Sequence, residues 1–169
     1  MDKTEPGLTE FLQASPEDSE SLAQIASVIW RQHFTPIIGP EQVEYMLTHF
    51  QSSLAIRQFI LDGYDYFFIQ NNGKNIGYLA LQNRDNHIHL SKFYILQKYR
   101  GQGHGKSSMD FIREYVSKNG LKSLRLVVNK ENQDTIAVYE KMGFKKIGAP
   151  VTDIGGGYVM DDYEFELMV

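Results

Sequence analysis

The chain has 169 residues and a formal net charge of −4, which is the size of one ordinary domain spanning 1–169. It contains no cysteine, so a disulfide framework, a thiolate metal site and a thiol nucleophile are all excluded. Its five histidines (His33, His49, His87, His89, His104) form no helical HExxH pair for zinc, and its mild acidity argues against nucleic acid as a partner. The polar, acidic start and the lack of any membrane-length apolar run predict a cytoplasmic protein with no membrane partner.

In chain order, Thr9–Gln13 reads as a short strand. Ser15-Pro16-Glu17-Asp18 reads as a helix start, with a capping residue, a proline in the first turn and acidic residues behind it. Leu22, Ile25 and Ile29 continue at helical spacing. Gly39-Pro40 opens a second helix with Val43, Met46, Leu47 and Phe50 on one face. A third, short helix carries Ile56, Phe59 and Ile60 and stops at Gly63. The period then changes. Tyr64–Gln70 and Asn75–Gln82 are β-rich runs joined by Asn71-Asn72-Gly73-Lys74, a strong hairpin signal. Another strand, His87–Leu96, follows, and then a glycine cluster and a helix with Met109, Ile112 and Val116 on its apolar face. Ser123–Val128 reads as a strand and Asn132–Met142 as a helix closed by Gly143. Lys145–Val151 and Tyr158–Val169 read as two final strands. Hairpins first and one βαβ-like crossover later predict an α/β (α+β) fold. Its sheet is mixed, mainly antiparallel and about seven-stranded, with flanking helices.

The glycine cluster Arg100-Gly101-Gln102-Gly103-His104-Gly105-Lys106 is the strongest chemical signal. A dinucleotide fingerprint started at Gly101 needs a glycine where Lys106 stands. A Walker A loop ending Gly105-Lys106-Ser107 needs its first glycine where Arg100 stands, and starting from Gly101 leaves the loop one residue short. What remains is Arg100-x-x-Gly103-x-Gly105 between a strand and an amphipathic helix. There, backbone N–H groups converge on an anion and glycines let a phosphate reach the main chain. A glycine-rich turn without a ligand is the plain alternative.

Here the chain resembles the GNAT superfamily of N-acetyltransferases, whose signature at this junction is [Arg/Gln]-x-x-Gly-x-[Gly/Ala]. Tyr94-Ile95-Leu96-Gln97 is similar to the family's aromatic-valine-x-proline strand end. Downstream, Asn129–Asn132 and Tyr139-Glu140-Lys141-Met142-Gly143-Phe144 match an asparagine opening a helix that ends Tyr-x-x-x-Gly-Phe. The resemblance is specific over Leu90–Phe144. It implies transfer of an acetyl group from acetyl-CoA to an amine, with no metal, and a sheet whose two parallel strands, His87–Leu96 and Ser123–Val128, splay to admit the cofactor. Phe93, Tyr94 and Ile95 would then pair their main chain with the pantetheine arm. Gly101, Gln102, Gly103, His104, Gly105, Lys106 and Ser107 would take the pyrophosphate, with added charge from Arg100. Asn132 would hydrogen-bond the pantetheine, or else simply cap its helix.

The resemblance makes Tyr139 the general acid for the departing thiolate; phenol and thiol pKa values of roughly 10 and 8.5 are close enough for that exchange. A core aromatic is the alternative. The base is not marked. His89 stands where histone-acetylating members carry a glutamate, and Ser91 where some small-molecule members place a carboxylate. His89 has a suitable ordinary pKa but also suits a structural histidine, and a water chain through Ser91 is an alternative proton path. Gly155-Gly156-Gly157-Tyr158 reads as a ligand-approaching loop or a flexible turn. Asp162, Glu164 and Glu166 share one strand face that is either a solvated side or a cation-attracting rim. A polyamine-like acceptor is favoured, with a peptide N-terminus left open. Without a cysteine to carry the acyl group, direct attack in a ternary complex is expected. A non-catalytic acyl-CoA sensor is the alternative. Homodimers are common in the superfamily, although no residue pattern picks out an interface.

Overall fold

A computed structural model describes residues 8–169; the opening segment before Leu8 lies outside them. Strand β1 (Thr9–Gln13) leads through a 3-10 turn at Pro16–Asp18 into α1 (Ser19–His33). The Asp18 carboxylate closes that turn by accepting from the Ser15 N–H at 2.8 Å. Three further helices follow, α2 (Thr35–Ile38), α3 (Pro40–His49) and α4 (Ser53–Leu61). The Ser52 hydroxyl caps α4 by accepting from Ala55 N–H. Next come β2 (Asp65–Asn71), β3 (Lys74–Asn83) and β4 (Ile88–Ile95), then α5 (His104–Lys118), β5 (Ser123–Asn129) and α6 (Gln133–Lys141). The chain finishes with β6 (Lys145–Gly148), β7 (Val151–Gly155) and β8 (Tyr158–Met168).

The strands form one sheet in the order β1-β2-β3-β4-β5-β8-β6, with β7 paired to β8. Every pairing is antiparallel except β4 with β5. The expected mixed, mainly antiparallel sheet with flanking helices is therefore present. Asn72 and Gly73 both hold positive φ, 51° and 76°, the backbone that a two-residue hairpin needs to match strand twist.

Two details differ from the sequence reading. The stretch Lys145–Val151 is two strands, not one, because Pro150 has no N–H for a ladder; its carbonyl instead accepts from Asp162 N–H at 3.1 Å. The chain then continues along β8 in the same direction, and β7 makes an eighth strand. The short helix α2 was also not expected, since four residues around Pro36 carry no readable period.

Helices cover both faces of the sheet, so alternate strand residues enter two different cores. Phe67, Ile69, Leu79 and Leu81 join α5 and α6 on one face. Tyr66, Phe68, Tyr78 and Ala80 join α1, α3 and α4 on the other. At Gly77, opposite Ile95, an added methyl would collide with the main-chain carbonyl of Tyr94. A Gly77→Ala variant is accordingly expected to lose about 1–3 kcal/mol, read from urea unfolding, and an unchanged midpoint would contradict so close an approach.

Candidate active site

The site begins with one extra residue in β4. Ala80 pairs with Lys92 and Leu81 with Leu90, which leaves Ser91 without a partner on β3. Such a bulge bends the strand and re-aims the side chains beyond it. On its other edge, β4 pairs with β5 only at Ile88–Leu124 and His89–Arg125. Past His89 the two parallel strands separate, and the β4 edge that faces β5 has no ladder partner among the described residues. The separation opens a cleft of about 610 Å³, lined on the strand side by Ser91, Phe93, Ile95, Leu126 and Val128.

Arg100 and Gly105 line this cleft, while Gly101, Gln102, Gly103 and Lys106 are exposed beside it and Ser107 is half-buried. Gly103 caps α5 in the left-handed conformation, with φ 90°, a conformation in which a side chain is strained. Gly105, the second residue of α5, has open space where a Cβ would stand. The first turn of α5 therefore presents free N–H groups at the cleft mouth. His104 turns away. Its side chain is 2% exposed, with Nδ1 2.8 Å from Thr9 Oγ1, so only its main chain is available to a ligand. Arg100 donates from Nε to the Ile95 carbonyl at 3.0 Å, and its Nη1 lies 3.4 Å from His33 Nδ1.

Opposite the loop stands α6. Asn132 is buried and makes no side-chain cap bond; its Oδ1 lies 3.2 Å from His33 Nε2 instead. Burial and the Arg100 charge both lower the His33 pKa, so the imidazole is biased to its neutral form. About two turns along α6, Tyr139 lines the cleft and packs edge-on against Phe144. Burial raises its pKa, which keeps the phenol loaded with its proton.

The far wall of the cleft is built by Trp30, Phe34, Met46, Phe50, Gln51, and Ile154 with Met160. Two charged side chains interrupt this apolar wall. Asp162 is 5% exposed, and burial, aided by Asp161, pushes its carboxyl up to about 6. Lys130 binds Asp161 at 2.6 Å, and among the described residues Asp162 forms no ion pair. The face of β8 is thus not uniformly solvated, since Asp162 points into the cleft while Glu166 is tied to Arg125 and Ser123. Lys92, 8% exposed, is the second charge.

His89 does not line the cleft. Burial, with the nearby Arg84 and Lys92 charges, pushes its imidazole down to about 3, which makes it a weak proton acceptor. Ser91 does line the cleft, and its Oγ accepts from Lys92 Nζ at 3.2 Å. The glycines 155–157 do not line it. Their positive-φ turn lies under the Tyr45 ring, whose hydroxyl donates to the Ile154 carbonyl at 2.6 Å; a Cβ on Gly155 or Gly156 would strike that ring or its hydroxyl. Trp30 carries no sequence signal, because helical periodicity places it among ordinary core positions. Lys92 carries none because strand alternation puts it on the face of Leu90 rather than that of the cleft's far wall.

The profile of the Acetyltransferase (GNAT) family matches residues 22–144, the span that holds the bulge, the splay, the glycine loop and Tyr139. The chain belongs to this family. Among individual GNAT-like proteins, the spermidine N(1)-acetyltransferase of Thermoplasma acidophilum is 25% identical over 141 residues, covering 80% of this chain and 88% of that protein. In structure, the chain is similar to the PaiA N-acetyltransferase of Thermoplasma acidophilum in complex with coenzyme A, with a TM-score of 0.80. Identity there is 23%, over 96% of this chain and 99% of that one. The spermidine/spermine N-acetyltransferase SpeG of Vibrio cholerae gives a TM-score of 0.66 at 16% identity, over 95% of each chain. As a GNAT member the protein is an acetyltransferase. No described helix is long and apolar enough to cross a membrane.

Proposed function

We propose that the chain acts as one N-acetyltransferase domain that moves acetyl from acetyl-CoA to the primary amine of a small molecule, a polyamine foremost, by direct attack in a ternary complex. The observation that carries this reading is the opened β4–β5 pair. It meets the glycine loop at one end and a mainly apolar chamber holding Asp162 at the other. The free edge at Phe93, Tyr94 and Ile95 suits a pantetheine arm bound as an added strand, and Asn132, uncommitted to capping, faces the same path. Residues Gly101–Ser107 suit the pyrophosphate through main-chain N–H groups, with Arg100 swinging from the Ile95 carbonyl to meet it.

Acceptor selection falls to Asp162. An ionised carboxylate in an apolar wall favours a cationic amine, and the relatives named for spermidine support that choice. Once the amine attacks the thioester carbon, the carbon–sulfur bond breaks. Tyr139 donates to the thiolate, whose basicity is raised by the same burial that holds the phenol protonated.

The test is CoA release with a panel of amines: spermidine, a monoamine, an amino acid and a peptide. Saturable release with spermidine is expected, and kcat/KM should rise as pH passes about 6, where Asp162 ionises. Asp162→Asn should raise the spermidine KM about tenfold, the worth of one charge-assisted hydrogen bond, and remove that limb. Tight acetyl-CoA binding without turnover on any amine would instead favour a non-catalytic sensor.

A further inference from the structure

Lys92 is a buried cation that the mechanism above leaves idle. The bulge at Ser91 is what puts it there. Without that extra residue Lys92 would share a face with Leu90, which sits in the α5-side core. With it, Lys92 turns to the α1–α4 face and lines the acceptor chamber. Its Nζ lies 4.5 Å from the Phe59 ring centre on α4 and 5.9 Å from that of Tyr66 on β2, and its one side-chain hydrogen bond among the described residues is to Ser91 Oγ. Among the described residues it forms no ion pair. An ammonium buried without a counter-ion is costly; the two ring faces offset part of that cost, and the remainder falls when the proton leaves.

We propose that Ser91 and Lys92 form the exit path for the acceptor's proton, with the neutral Lys92 amine as general base and the Ser91 hydroxyl as relay. This rests on the acetyl-transfer reading above. As the acceptor nitrogen bonds to the thioester carbon, the nitrogen gives a proton to Ser91 Oγ, and Ser91 passes its own proton to Lys92 Nζ. The carbon–sulfur bond then breaks with its electron pair on sulfur, which Tyr139 protonates. The attacking nitrogen starts as a neutral amine. Lys92 is left as the ammonium, Tyr139 as the phenolate and Ser91 unchanged, and the site resets when Lys92 loses its proton to solvent and Tyr139 regains one.

The surroundings suit a base that works near neutrality. Burial lowers the Lys92 pKa to about 8, inside the range in which a lysine both accepts a proton and remains basic enough to hold it. The titratable groups around it do not compete. Tyr66 on β2, Tyr78 on β3 and Tyr94 on β4 are all held protonated by burial. His89, on the same strand, is pushed down to about 3 and so stays neutral. Asp162 on β8 lines the same chamber but makes no ion pair with Lys92.

The experiment is a pH profile of acetyl transfer to spermidine for the wild type, Lys92→Met, Lys92→Arg and Ser91→Ala, with the acetyl-CoA dissociation constant measured for each. In the wild type, kcat is expected to rise to a plateau above about pH 8. Lys92→Met and Lys92→Arg should both lose about a hundredfold in kcat together with that limb, at unchanged cofactor affinity. Ser91→Ala should lose less, about tenfold, because water can replace a hydroxyl relay. Arginine keeps the charge but cannot give up its proton, so an active Lys92→Arg would overturn the base role, as would a surviving limb in Lys92→Met. Should the methionine variant fail to fold, the arginine variant decides alone. A wild type that acetylates no amine removes the acetyl-transfer reading and this one together, whereas an active wild type with active lysine variants removes only this one.

Discussion

Gly105→Val is expected to raise the dissociation constant for acetyl-CoA by about two orders of magnitude, roughly 2.7 kcal/mol, while the thermal midpoint stays near that of the wild type. The two halves of that expectation have separate causes. Gly105 sits in the first turn of α5, and a Cβ built there meets nothing within 4 Å. Replacing a first-turn glycine that has no positive φ costs the helix nothing in propensity, so the fold has no reason to suffer. What the new side chain would meet is a phosphate seated on the exposed N–H groups. Gly103→Val is a poorer test, because its φ of 90° adds backbone strain to any loss of affinity. Calorimetric titration with acetyl-CoA reads the effect. Unchanged affinity would remove the pyrophosphate from this loop.

Tyr139→Phe is expected to lower kcat about a hundredfold and to leave acetyl-CoA affinity within a factor of about two. The ring supplies the packing against Phe144, and phenylalanine keeps it. Only the hydroxyl is lost. Burial holds the phenol protonated, so the wild-type profile should show no limb from Tyr139 itself, and the deficit should be the same at every pH below 10 or so. Steady-state rates at saturating acetyl-CoA and spermidine decide the matter. Equal turnover in the two proteins would return Tyr139 to a packing role.

Much of this was legible in the residues because local rules govern it. Asn72-Gly73 fixes a hairpin through its own backbone preferences, and Met109, Ile112 and Val116 mark a helix face by period alone. The glycine loop is equally local. Pro150 was the signal for the break between β6 and β7, but a missing donor is easy to overlook inside an apolar run. The acceptor half was not legible, since it depends on one unpaired residue. Ser91 reverses the facing of everything after it, and no period-2 pattern reveals where a bulge falls. Lys92 therefore drew no reading, and Asp162, on β8, shared a strand face that period alone left open between a solvated side and a cation-attracting rim. His89, by contrast, was marked by its place in the family resemblance and its ordinary pKa, with a structural histidine as the alternative; its burial and its place off the cleft make it a weak acceptor.

The most direct measurement is the product stoichiometry when the protein turns over acetyl-CoA in the presence of excess spermidine. Free CoA thiol and singly acetylated spermidine, quantified in the same sample by thiol titration and mass spectrometry, are expected in equal amounts and only when both substrates are present. Thiol released without acetylated amine, or tight acetyl-CoA binding with no product of either kind, would contradict acetyl transfer to an amine from the β4–β5 cleft.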